Sequence, residues 1–174
     1  MNLDCDTVEG QKHIARQNWI LKFIEKNGDK IKCVPTEDKI CGFDAFVYKD
    51  DILSSVIEIK NRPYINRAQK NYATLRALQQ FGTYLITAEK LDVLQRISRQ
   101  KRCKSFVVVN LPNDSPRKLL FFQITDWKGR FVIDFERKTS RTYYSSNDWK
   151  GKIDRVNAFI PINNNQFLKV MSYQ

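Results

Sequence analysis

Two carboxylates and a lysine stand at a spacing that could assemble a hydrolytic site: Asp44 and, after thirteen intervening residues, Glu58-Ile59-Lys60. Both lie in apolar, β-prone stretches, Gly42-Phe43-Asp44-Ala45-Phe46-Val47-Tyr48 and Val56-Ile57-Glu58-Ile59-Lys60, joined through a turn at Lys49-Asp50-Asp51. Strand side chains alternate faces, so Glu58 and Lys60 point one way and Ile57 and Ile59 point the other way, into a core. A hairpin folded at Asp50-Asp51 would set Asp44 across from the Glu58–Lys60 end. Two hard oxygen ligands suit Mg2+ or Mn2+, and a neighbouring ammonium suits a water nucleophile or a phosphate. The plain alternative is an exposed Glu–Lys pair on a strand, worth little in stability, with Asp44 as a strand-entry residue.

These residues need elements to hold them. Asp6 and Glu9 form a box-like pair that predicts a helix start. The helix should run to about Asn27, with Gly28 as its stop. Val8, Ala15, Trp19 and Phe23 recur at helical spacing, and Ile20 and Ile24 widen the stripe. Residues 30–35 alternate like a strand and 36–42 read as a polar loop. Pro63 forces the chain out of the Glu58–Lys60 strand. Residues 66–81 are helix-compatible, with Ala68, Tyr72, Leu75 and Leu78 near one face. The segment 84–86 is short and apolar. Thr87 can cap a helix over 88–101 with Leu91, Leu94 and Ile97 as its stripe. The run 106–109 suits a strand buried on both faces. Further on, 119–125 and 131–135 flank a turn at 126–129 as a hairpin candidate. Residues 137–152 read as a basic loop, 156–162 as a last strand, and Asn163-Asn164-Asn165 as a closing turn.

In motif and element order the chain resembles the PD-(D/E)XK nuclease superfamily. A helix bearing Glu9, a strand over 31–35, the Asp44 strand, the Glu58-Ile59-Lys60 strand and then helical sequence follow that order across residues 6–110. Phe43 stands where the motif's proline would be, and Gly42-Phe43-Asp44 matches a common Gly-x-Asp variant. The resemblance implies a single α/β domain over residues 1–174, with a restriction-endonuclease-like core of mixed sheet flanked by helices and a β-rich C-terminal part. It implies Asp44, Glu58 and the backbone carbonyl of Ile59 as ligands of Mg2+ or Mn2+, and Lys60 as the group that orients or polarises the attacking water. It places Glu9 close to the metal; its other reading is the capping pair with Asp6. The implied activity is that of a metal-dependent endonuclease hydrolysing DNA, from a phage or mobile element and hence in a host cytoplasm. A homodimer is compatible with it. The rival is a non-catalytic nucleic-acid-binding protein that keeps the fold.

The composition suits a polyanion partner. Net charge is +11, and residues 96–155 carry 15 of the 30 lysines and arginines against six acids. Each neutralised phosphate releases counterions; the alternative is a solvated basic face. Arg137, Lys138 and Arg141, just before Tyr143 and Tyr144, could pair with phosphates and stack on bases, or form a packed hairpin end. Cys5, Cys33, Cys41 and Cys103 lack close CxxC-type spacing and His13 is the sole histidine, which argues against zinc. The N-terminus is acidic, with no apolar signal segment, so the cysteines read as reduced and intracellular. No run reaches membrane-span length. His13 reads as a surface or packing residue. Lys90, in Tyr84-Leu85-Ile86-Thr87-Ala88-Glu89-Lys90-Leu91, resembles a pattern of phage-like superfamily members in which a Tyr-Ile segment precedes a Lys-Leu helix start; its other reading is a solvated lysine. Gln80 and Tyr84 match a Gln-x-x-x-Tyr exonuclease pattern by letter only, because Gly82 breaks the helix it needs.

Overall fold

The computed structural model describes residues 7–36, 42–66, 69–143 and 152–174. Elements run α1 (Val8–Asn27), β1 (Ile31–Pro35), β2 (Ala45–Lys49), β3 (Ile52–Asn61), β4 (Tyr64–Asn66), β5 (Asn71–Tyr72), α2 (Leu75–Phe81), β6 (Thr83–Thr87), α3 (Ala88–Lys101), β7 (Lys104–Leu111), β8 (Arg117–Thr125), β9 (Glu136–Tyr143), β10 (Lys152–Pro161) and β11 (Leu168–Tyr173). The protein is α/β, with a mixed central sheet of six strands in the order β1-β2-β3-β7-β8-β11. The β3–β7 pair is parallel and its flanking pairs are antiparallel. A smaller antiparallel sheet, β6-β10-β9, lies apart from it. Among the described residues, no helix is long and apolar enough to cross a membrane.

Alternation decides which face of the central sheet meets which helix. Ala45, Val47, Ile57, Ile59, Val108 and Leu119 point to one face and meet Ile20 and Leu21 of α1. Val56, Val107, Val109, Leu120 and Phe122 point to the other, toward Leu91 and Leu94 of α3 and Tyr84, Ile86, Ala158 and Ile160 of the small sheet. Residues 55–59 of β3 are therefore all buried, as a central strand covered on both faces requires.

The hairpin β2–β3 turns at Asp50 and Asp51, with φ of 50° and 61°, and Lys49 pairs with Ile52 across it. Two successive left-handed residues match the twist of the flanking strands, and Asp tolerates that conformation better than most side chains. The turn thus lies where the sequence predicts it.

Several local expectations are corrected. Thr7, not Asp6, caps α1: its Oγ1 accepts from the Gly10 amide at 3.0 Å. That puts Glu9 one position too early for a capping box, and Asp6 lies outside the described residues. The α1 stripe is also rotated. Val8 and Ala15 are exposed, and the face on the sheet runs Gly10, His13, Gln17, Ile20, Leu21, Ile24, growing polar toward the N-terminus. Of the described residues in the predicted 66–81 helix only 75–81 are helical, and Ala68 lies outside the described residues. Tyr64 and Tyr72 instead stack across the β4–β5 hairpin with centroids 5.5 Å apart, and α2 begins where Thr74 caps the Ala77 amide at 3.2 Å. Residues 131–135 make only one bridge, Thr125 with Phe131, because Asp126 gathers the Lys128 and Arg130 amides, each at 2.9 Å, into a tight turn. The predicted loop 137–152 contains β9, an edge strand whose exposed charges suit an unpaired border. β11 lay beyond the predicted closing turn.

Asp51→Gly should stabilise the protein by about 1 kcal/mol, because a left-handed residue costs a side chain roughly that much. Asp51→Val should destabilise it by a comparable amount; thermal melts of both variants check the sign.

Candidate active site

The site forms at the C-terminal end of β3, where both neighbouring strands fix its height. The Asp44 amide donates to the Ile57 carbonyl at 2.9 Å, and its Oδ2 accepts from the Ile59 amide at 2.5 Å. Asp44 therefore brackets Glu58 from the adjoining strand. Gly42, two residues earlier, has φ +75°, and a Cβ there would lie 2.9 Å from Cγ1 of Val93 on α3. Only glycine permits both that backbone and that approach.

Glu58 is 1% exposed, within the most apolar part of the sheet. Its Oε1 receives the Lys60 ammonium at 2.5 Å and the Lys90 ammonium at 3.1 Å. Its Oε2 is buried and has no hydrogen-bond partner among the described residues. Both lysine side chains keep about a third of their surface open, 36% each, so the site is reached from solvent on the lysine side. Lys90 also donates to the Gly42 carbonyl at 3.3 Å. The structure thus brings together Asp44, Glu58 and Lys60, as the sequence predicts, and sets Lys90 beside them, against the reading of it as a solvated lysine.

Electrostatics follow from this burial. Desolvation, reinforced by the charge of Glu58, pushes Asp44 up to about 6, although the Ile59 amide and the two lysines pull the other way. Burial works against the Lys60 ammonium. Glu58, through charge and hydrogen bond, and Asp44 behind it more than offset this, so Lys60 is held above its ordinary value. It is a fixed cation at neutral pH. His13 is pushed down by burial and then by the charges of Lys60 and Arg16, so the polar end of the α1 face lies within electrostatic reach of the site. The buried Tyr84 phenol is pushed up by desolvation, against the pull of Arg62 and Lys60. The Arg62 guanidinium lies 5.8 Å from the Tyr84 ring centroid, and its Nε is buried without a partner among the described residues.

Glu9 is exposed in the first turn of α1. Among the described residues no group of three His, Cys, Asp or Glu side chains stands at metal-holding spacing, so Glu9 does not join Asp44 and Glu58. Among the described residues a cation here would have two carboxylates and no third such side chain. Oε2 of Glu58 is what fits it: a buried carboxylate oxygen without a donor.

The basic residues of β9 are largely engaged within the protein. Arg137 clamps Asp92 of α3 with two hydrogen bonds of 3.0 and 2.6 Å. Lys138 pairs with Glu136 at 2.8 Å, and Arg141 faces Asp154 at 4.0 Å. The side chain of Tyr143 and the whole of Tyr144 lie outside the described residues, as do Cys5 and Cys41.

Two residues near the site, Lys90 and His13, carry only weak signals in the sequence. Lys90 sits in the first turn of a helix, where a cation opposes the helix dipole; such a lysine needs a partner, and Glu58 supplies it. His13 is polar on the buried face of α1, which the assumed stripe had missed. A scan against protein-family models finds none that matches the chain, and a search of curated proteins finds no match either.

Without divalent cations, Asp44 should oppose folding at neutral pH. Its folded value, about 6, exceeds the ordinary 3.8, so the folded state holds the proton more tightly. The stabilisation that proton gives is complete below about pH 4 and lost as pH rises through 6, on the order of 2–3 kcal/mol. Asp44→Asn can still accept from the Ile59 amide. In EDTA it should melt above wild type at pH 7–8, and the gap should close toward pH 4; a constant gap would contradict the assigned cause.

Proposed function

We propose that this protein is a Mg2+- or Mn2+-dependent endonuclease of the PD-(D/E)XK type that hydrolyses DNA phosphodiester bonds at Asp44, Glu58 and Lys60. The observation that carries the reading is Glu58, buried in the central strand with one oxygen under two ammoniums and the other without a partner among the described residues. Desolvating a carboxylate costs several kcal/mol, and an apolar residue there would stabilise the fold more. A carboxylate kept at that cost, opposite a second one and beside a reachable lysine, suits catalysis. The order α1, β1, β2, β3 followed by a crossover helix and the parallel β7 supports a restriction-endonuclease-like core.

Asp44 and Glu58 would hold the cation, with the Ile59 carbonyl as the backbone ligand the resemblance implies. When bound, the cation relieves phosphoryl charge and makes water more acidic. The chain's own residues do the rest. Lys60, protonated and solvent-accessible, donates to the attacking water or a phosphate oxygen and cannot compete as a ligand. Lys90 offsets the charge of Glu58 and lies where a phosphate would approach. The net charge of +11 favours a polyanion, with Arg137, Lys138 and Arg141 as candidate phosphate contacts once their carboxylate partners are displaced. A chain from a phage or mobile element would work in a host cytoplasm.

One observation favours the rival, a nucleic-acid-binding protein without activity: both lysines already close on Glu58, leaving the site's charge balanced internally. Plasmid and single-stranded DNA incubated with Mg2+, Mn2+ or EDTA separates the two. Cation-dependent cleavage is expected, and Asp44→Ala, Glu58→Ala and Lys60→Ala should each reduce it by at least about a hundredfold. Binding without cleavage under every condition supports the rival, and full activity in the three folded variants overturns the site.

Mn2+ should also raise the melting temperature of wild type, by up to about 2.7 kcal/mol of stability at a hundredfold excess over its dissociation constant. Asp44→Asn should abolish that shift; a shift that persists removes Asp44 from the ligand set.

A further inference from the structure

On the α1 face of the central sheet, opposite the face that carries Glu58, lies a second feature that the chemistry above does not use. A cleft of about 280 Å3 is lined by Arg16 and Trp19 of α1, Asn110 of β7, Pro112, Arg117 of β8 and Tyr173 of β11. Its size approaches the lower end of small-molecule sites. It is joined to the carboxylate site through the sheet. Asn61 follows Lys60 directly and accepts from Asn110 Nδ2 at 2.9 Å, and Asn110 Oδ1 accepts from the Tyr173 hydroxyl at 2.5 Å. Along α1 the link is His13, which feels the charges of both Lys60 and Arg16.

Three properties of the cleft point to a ligand. Arg16 and Arg117 are exposed, and neither forms an ion pair among the described residues. Both lie close enough to Tyr173 to act on its phenol, which burial pushes up and the two guanidiniums pull back. Two like charges therefore converge on one hydrogen-bonded floor, an arrangement that an anion would relieve. The same cleft has an aromatic wall. Trp19 packs on Tyr173 with centroids 4.8 Å apart and on Phe23 at 5.6 Å, so its ring is held, yet it remains 40% exposed. A fixed, open indole beside paired guanidiniums suits a nucleobase stacked next to its own phosphates. The shape selects further: base faces in a duplex are already stacked, so a recess with an aromatic wall fits a nucleotide that is out of the helix.

We infer that this cleft takes one unpaired nucleotide of a DNA strand, its base against Trp19 and its flanking phosphates on Arg16 and Arg117. DNA as the ligand rests on the nuclease reading of the carboxylate site; the cleft adds the class of substrate, a strand that is single or locally splayed.

The test is binding in EDTA of a short fluorescein-labelled oligothymidylate and of a blunt duplex of equal length, to wild type, Arg16→Gln/Arg117→Gln and Trp19→Phe. The double variant should lose roughly tenfold or more in affinity for the single strand. Its log–log salt slope should flatten by about 1.4, two phosphate contacts at about 0.7 each. Trp19→Phe, which keeps an aromatic ring in the cluster, should weaken the single strand several-fold, leave the salt slope unchanged and leave the duplex unaffected. Melting of the double variant at or above wild type, as removal of two converging charges requires, shows that the fold is intact. The proposal is overturned if the double variant binds oligothymidylate like wild type, if Trp19→Phe weakens duplex and single strand alike, or if no oligothymidylate binds. Cation-dependent cleavage by wild type together with normal strand binding by the double variant would remove the cleft and keep the nuclease. Arginine- and Trp19-dependent strand binding without cleavage in any cation would keep the cleft and remove the nuclease.

Discussion

The structure turns on one costly burial, that of the Glu58 carboxylate in the middle of a sheet covered on both faces. Nothing in the packing requires it. Val56, Val107 and Val109 around it are fully enclosed, and an aliphatic side chain would continue their surface. A lone charge there would cost several kcal/mol, so the neighbourhood is arranged to make it tolerable. Lys60 reaches back along its own strand, Lys90 comes in from the first turn of α3, and Asp44 is tied to the Ile59 amide rather than left to face Glu58 freely. One oxygen of Glu58 is compensated and the other is not, which gives the buried group a direction in which it can still bind something.

That arrangement reaches into the fold. Lys90 meets Glu58 only because α3 packs against β3, and α3 comes close only because Gly42 has no side chain to push Val93 away. The small sheet holds α3 from its other side, with Arg137 of β9 clamped to Asp92. The C-terminal strands, which carry none of the three motif residues, therefore help to hold the second ammonium in place. The basic residues of β9 do structural work in the free protein, whereas Arg16 and Arg117, far apart in sequence, form no ion pair among the described residues.

The hairpin was legible in the sequence because its signals are local. Asp50-Asp51 between two apolar alternating runs specifies a tight turn, and a tight turn specifies register. The turn alone, pairing Lys49 with Ile52, would set Asp44 opposite Ile57; a β-bulge between Val47 and Tyr48 shifts the register and brings Asp44 beside Glu58, and no local signal announces it. The helix α3 was legible for a similar reason, a clear stripe of Leu91 and Leu94 after a strand. Local signals failed where two readings share a spacing. Tyr72, Leu75 and Leu78 recur as a helix would have them, yet Tyr72 belongs to a hairpin and faces Tyr64. The chain 136–143 is polar because it is a sheet edge, and polarity alone does not separate an edge strand from a loop. The stripe of α1 was placed on its most apolar residues, but the face on the sheet includes Gly10, His13 and Gln17, because that end of the helix lies near charged groups rather than a core.

By itself, then, the sequence determined the turn of the hairpin and the order of the first elements, properties of residues close along the chain whose geometry short-range sterics dictate. Only the tertiary structure decided that Glu58 is enclosed while Lys60 is open, that Lys90 joins them, that Glu9 stands apart, and that Arg16, Trp19, Arg117 and Tyr173 share one cleft. Those facts depend on which faces pack together and on how deep each charge is carried from water. Both are set by the summed burial of distant apolar residues, and no local pattern encodes that sum.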